Sequence, residues 1–163
     1  MSGRVPREVP SRVREAITAA LVAGVSREDV RWYVDRLEDL TLLMRAVPLT
    51  PVGSSRWAVP VGGTRRAGCA DWAEPGQGER IREFLAAHDG FPDLRVGHDL
   101  EQGGGMVRWG EPEPENPPWE APDLDWVRSI AADGRNYGYR EQVIEEFIAE
   151  RWGAQLAAAA MRR

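Results

Sequence analysis

Residues Arg14 to Val61 read REAITAALVAGVSREDVRWYVDRLEDLTLLMRAVPLTPVGSSRWAVPV, and their reading decides the fold. Two amphipathic runs flank Gly24. Ser11 follows Pro10 and suits an N-cap, after which Val13, Ile17, Ala20 and Leu21 share one helical face. Gly24 stops this helix, because glycine takes the left-handed conformation without a Cβ clash. Ser26 caps the next helix, and Asp29 stands three residues on, in capping-box position. Val30, Val34, Leu37 and Leu40 or Thr41 carry an apolar face towards Met44, with Tyr33 alongside. Two short β-like runs follow, Arg45 to Thr50 and Arg56 to Val61, around the turn residues Pro51-Val-Gly-Ser-Ser55. Pro48 and Pro60 each remove a ladder donor, so the runs suit a two-stranded ribbon at an edge.

Outward from this stretch the chain is less regular. Met1 to Pro10 holds Arg4 and Arg7 between prolines and reads as an extended arm. Gly62 to Gly78 is rich in Gly, Arg and Pro and reads as loop or linker. Glu79 to His88 is a short helix with Ile81, Phe84 and Leu85 inward, ended by Asp89-Gly90. Leu94 to Leu100 and Met106 to Trp109 read as strands. Glu111 to Pro122 is an acidic, proline-rich connector that forms neither helix nor central strand. Asp123 caps a helix from Leu124 to Ala132. A last helix runs from about Arg140 to Ala160, with Val143, Ile144, Phe147, Ile148, Arg151 and Trp152 on adjoining positions and Glu141, Glu145, Glu146 and Glu150 opposite.

The expected fold class is α+β, mostly α. It divides into a helix-turn-helix plus hairpin unit over residues 1–66, a linker over 67–78, and an acidic, mainly helical region over 79–163. The charge follows this division. Residues 1–70 hold 11 Arg and 7 Asp+Glu, a net +4; residues 71–163 hold 10 Arg and 19 Asp+Glu, a net −9. Such asymmetry points to different partners for the two halves. All 21 positive charges are arginine, with no lysine, as GC-rich coding produces; arginine at a given position is therefore weak evidence for bidentate recognition. Cys69 is the single cysteine, which excludes an intrachain disulfide and a CxxC metal site. No apolar run of membrane-spanning length occurs, and a cytoplasmic protein is expected.

The pattern Ala20, Gly24, Val25, Val30 and Tyr33, continued by V-D-R-L-E-D-L-T-L-L-M-R-A-V-P and a hairpin, resembles the winged helix-turn-helix of bacterial MarR and PadR regulators over about the first two-fifths of the chain. The resemblance implies double-stranded DNA as partner. Ser26, Arg27, Glu28, Arg31 and Trp32 would face the groove, with Arg45, Arg56, Arg65 and Arg66 on or beside the wing. Arginine forks suit guanine edges and phosphates, while Glu28 and Asp29 repel phosphate unless they cap the helix or face away. Against this stands a helical hairpin packed as core and used for protein contact.

Other constellations carry less. His88-Asp89 and His98-Asp99 offer metal-type ligands, but a third histidine is lacking, so no metal and no cofactor is assigned. No GxSxG elbow supports a nucleophile, and Gly103-Gly104-Gly105 lacks the Lys-Ser/Thr of a phosphate loop. No catalytic residue is therefore named, and the chain reads as a non-enzyme. Trp119 in the acidic connector, and Phe147 and Trp152 in the last helix, are the expected protein-binding positions, through self-association or a separate partner. Two functions follow: a small DNA-binding regulator or recombination accessory factor of the kind mobile elements encode, or an adaptor or inhibitor acting through the C-terminal region.

Overall fold

The computed structural model describes residues 7–99, 103–112 and 124–162. The chain is mixed α+β and about half helical. In order it forms α1 (Ser11–Val22), α2 (Arg27–Arg36), β1 (Val47–Pro48), β2 (Trp57–Ala58), β3 (Ala67–Trp72), α3 (Gln77–Ala86), β4 (Arg95–Asp99), β5 (Gly104–Gly110), α4 (Leu124–Asn136) and α5 (Glu141–Met161). Short 3-10 turns occupy Leu40–Arg45 and Thr50–Val52. The strands make two small antiparallel sheets, β1-β2 and β3-β5-β4.

The first corner forms as the residues dictate. Gly24 takes φ +101°, and the Val25 amide closes α1 by donating to the Ala20 carbonyl at 3.0 Å. Ser26 Oγ accepts the Asp29 amide at 3.1 Å, satisfying one of the orphan donors at the start of α2. Ser11 differs from expectation: Pro10 holds the cap position without a side-chain bond, and Ser11 is the first helical residue.

α2 stops at Arg36 rather than running towards Met44. Tertiary pairing ends it. Leu37 is extended and bridges Tyr139, and the Glu38 amide donates to the Gly138 carbonyl at 2.8 Å. Asp39 Oδ1 then accepts the Thr41 amide at 3.0 Å and caps the 3-10 turn, burying Leu40, Leu42 and Leu43.

The expected wing is a core element. β1 and β2 are two residues each, with Val47 opposite Ala58 and Pro48 opposite Trp57. Trp57 is 1% exposed, and Ala58 and Val59 are 0% exposed. Strand alternation sends Trp57 and Val59 into an apolar cluster with α1 and α2, and Ala58 into a second cluster beneath β3, β5 and α3. β2 is thus buried on both its faces, while Val47 and Pro48 of β1 are half-buried.

Part of the expected linker, residues 67–78, is the edge strand β3, and α3 begins within it. Ala70 and Trp72 turn inward on the same face as Gly68, which admits Trp109. A Cβ on Gly68 would lie 2.3 Å from Trp109 Nε1. That indole is fully buried and donates to the Val59 carbonyl at 3.1 Å, joining the sheet to the residue that follows β2.

Candidate interaction groove

Of the residues expected to read DNA, Arg65 is buried and Arg56 is paired with carboxylates, while the other arginines are exposed. Arg27, Glu28 and Arg31 are exposed on α2, and Trp32 beside them is 44% exposed. Arg45 is exposed near Gly62. Arg66 is exposed, with its amide on the Asn136 carbonyl at 2.7 Å. Arg56 is bound into an acidic bridge: Nη1 lies 3.1 Å from Asp29 Oδ1 and Nε lies 2.9 Å from Asp71 Oδ1. Its burial disfavours the cation, but the two carboxylates outweigh that and hold its pKa above the ordinary guanidinium value.

Arg65 is 2% exposed and sits in the core instead of on a wing. Its Nη1 donates to the Tyr137 carbonyl at 2.8 Å and its Nε to the Val59 carbonyl at 3.3 Å. Its guanidinium carbon stands 5.7 Å from the Tyr33 ring centre and 5.9 Å from that of Tyr137. Carbonyl oxygens and ring faces thus stabilise a buried cation. Burial pushes the Tyr33 and Tyr139 phenols up, with Arg65 opposing, so both stay neutral.

Asp29 is the second buried charge. Its Oδ2 accepts the Trp57 amide at 2.6 Å. Burial pushes its pKa up, and the hydrogen bonds from Trp57 and Arg56 pull it partly back. The carboxylate expected to complete a capping box instead ties α2 to the hairpin.

An apolar concavity lies between α2, α4 and α5. α4 and α5 approach closely because Gly134 has no side chain; a Cβ there would meet Ile144 Cγ1 at 2.8 Å. The Tyr137-Gly-Tyr139 turn then returns to α2. The Arg140 amide donates to the Arg36 carbonyl at 2.8 Å, and Trp32 Nε1 meets the Tyr139 hydroxyl at 3.3 Å. The result is a groove of about 230 Å³ walled by Trp32, Tyr137, Tyr139, Val143, Ile144 and Phe147. Arg36 lies 3.5 Å over the Trp32 ring and Arg151 lies 5.4 Å over Phe147, so both exposed rings keep cations on their faces. Asp133 and Glu150 also line it.

Of the positions expected to bind protein, Phe147 lines this groove and is 39% exposed. Trp152 stands edge-on to it at 5.5 Å. Trp119, with most of the acidic connector, lies outside the described residues. Trp32, expected to face DNA, is the opposite wall. The tyrosines 137 and 139 carried no site assignment in the sequence, although an aromatic-Gly-aromatic turn before a helix is a recognisable signal.

His88 Nδ1 lies 2.9 Å from the Phe84 carbonyl and His98 packs edge-on to Trp72 at 5.1 Å. Among the described residues no group of His, Cys, Asp and Glu could hold a metal ion, and no helix is long and apolar enough to cross a membrane.

A family model matches residues 22–162, covering the groove, the sheet and most of the chain. The chain belongs to DUF6302, a family of unknown function. The DUF6302 match corrects the MarR/PadR resemblance: it takes in α2, the hairpin and α5 together, and no winged-helix family is found. The physical reason is that α1 and α2 keep the helix-turn-helix order, but β2 of the hairpin that follows packs into the core. No curated protein and no solved structure matches the chain.

Proposed function

We propose that this DUF6302 chain is a non-enzymatic protein-interaction module, and that the groove between α2, α4 and α5 is its docking site. The observation that carries this reading is a pair of large rings, Trp32 and Phe147, left 44% and 39% exposed on opposite walls of an apolar groove. Aromatic anchors in a desolvated pocket are where protein interfaces concentrate their energy. A side chain of Phe size buries roughly 150–250 Å², so covering what remains of the two rings gains about 4 kcal/mol at roughly 25 cal/mol per Å². Arg36 and Glu150 supply a polar rim of both signs.

The DNA-binding reading retains Arg27 and Arg31 on an exposed helix edge beside Glu28. With Arg56 paired and Arg65 buried, it has the smaller support.

The test is purification of the tagged full chain from its own cells, with protein partners compared across variants. Phe147→Glu is expected to remove the partner, and the double reversal Arg27→Glu/Arg31→Glu to retain it. The opposite pattern would refute the groove as the docking site.

A further inference from the structure

The second half of α5 has no covering among the described residues. Its first turns are anchored by Val143 and Ile144, both buried. Beyond Arg151 the helix runs W-G-A-Q-L-A-A-A-A-M, ten residues without a charge, before Arg162. Ala154, Ala157, Ala158 and Ala160 are exposed, and Met161 is 89% exposed. A Cβ placed on Gly153 would meet nothing within 4 Å. An uncharged helical surface of this length is normally covered.

Phe147, Ala154, Ala157 and Met161 follow one another at steps of seven, three and four, so they form one exposed stripe. That stripe begins at the groove wall. The helix is also polarised along its length. Glu141, Glu145, Glu146 and Glu150 lie in its first ten residues, and Arg162 follows its far end. A parallel pair of such helices would set carboxylate against carboxylate. An antiparallel pair sets the acidic half of each against the arginine end of the other.

We infer that the groove's partner is a second copy of this chain, docked through an antiparallel pair of α5 helices related by a two-fold axis. This rests on the groove being the docking site. With Ala154 facing its own equivalent across the axis, Met161 of one copy meets Phe147 of the other, because each lies seven residues from Ala154. Glu146 and Arg162 lie eight residues either side of Ala154, so they come to the same level along the pair. The alanines at the crossing let the two backbones approach, and the isologous contact closes on itself as a dimer.

Sedimentation equilibrium of the full chain gives the first test. The expected mass is twice 18.2 kDa, and Ala154→Glu, on an exposed position, is expected to weaken association by about tenfold or more. A mass of 18.2 kDa at every concentration up to roughly 100 μM overturns the inference. Orientation is read in a Cys69→Ser background, with circular dichroism confirming folding. Phe147→Cys and Met161→Cys chains, mixed and oxidised, are expected to form the mixed disulfide, while Met161→Cys alone stays uncross-linked. A cross-link through Met161→Cys alone overturns the antiparallel arrangement. If the chain is monomeric but Phe147→Glu still loses some other protein, self-pairing falls and the docking groove stands; if Phe147→Glu loses nothing, both fall.

Discussion

Replacing Asp29 by alanine probes the joint between α2 and the hairpin. The carboxylate is 6% exposed and is bonded to the Trp57 amide at 2.6 Å and to Arg56 Nη1 at 3.1 Å. Trp57 is itself 1% exposed, so its amide loses its side-chain acceptor without gaining water, at roughly 1–3 kcal/mol. The Arg56 side chain is 45% exposed and keeps Asp71, so losing its pair with Asp29 adds less than about 1 kcal/mol. The expected loss is about 2–4 kcal/mol in total. Urea unfolding followed by tryptophan fluorescence measures it as a fall in midpoint at unchanged slope. Asp29→Asn keeps an acceptor for Trp57 and should cost less. Its pH dependence has a definite sign. Burial raises the folded pKa of Asp29 above the ordinary 3.8, so the folded state holds that proton more tightly than the unfolded chain does. The stability this gives in acid is lost as pH climbs from 3.8 through the raised value, and the cost of Asp29→Asn should shrink over that window. A loss for Asp29→Ala below about 0.5 kcal/mol, within the ordinary range for surface changes, would refute the reasoning.

Three further outcomes are expected. Gly68→Ala should cost about 1–3 kcal/mol through overpacking, because its methyl would sit 2.3 Å from Trp109 Nε1; a thermal melt at the wild-type temperature would contradict this packing. Ser26→Ala should cost about 0.5–2 kcal/mol by removing the acceptor of the Asp29 amide, again read by urea denaturation. The chain should show no duplex affinity that falls steeply with salt and vanishes in Arg27→Glu/Arg31→Glu; a gel shift with that behaviour would restore the DNA-binding reading.

Local signals in the sequence were sufficient where the structure is local. Gly24, the Ser26 cap, α3, the β4-β5 pair and α5 all follow from periodicity and turn residues close by. The failures share one cause, pairing between distant residues. α2 ends early because Leu37 and Glu38 bond to Tyr139 and Gly138, a hundred residues on, which no window over α2 can show. Residues 67–72 read as linker because alanine and glycine are poor strand formers, yet their smallness is what lets Trp109 pack beneath them. The hairpin was legible as a hairpin, but its burial was not, since Trp57 and Ala58 are core only because two apolar clusters form on its opposite faces. For the site, Phe147 was recognisable as an aromatic on an amphipathic helix. That Trp32 stands on the opposite wall was not legible, because Tyr139, more than a hundred residues on, meets its indole.

The central claim is that Phe147 and Trp32 face a protein, and a photo-cross-linker placed at position 147 tests it most directly. Benzoylphenylalanine at 147 is expected to give a covalent protein adduct on irradiation in cells, and the same group at Arg31 none. An adduct formed from position 31 and absent from position 147 would contradict the account.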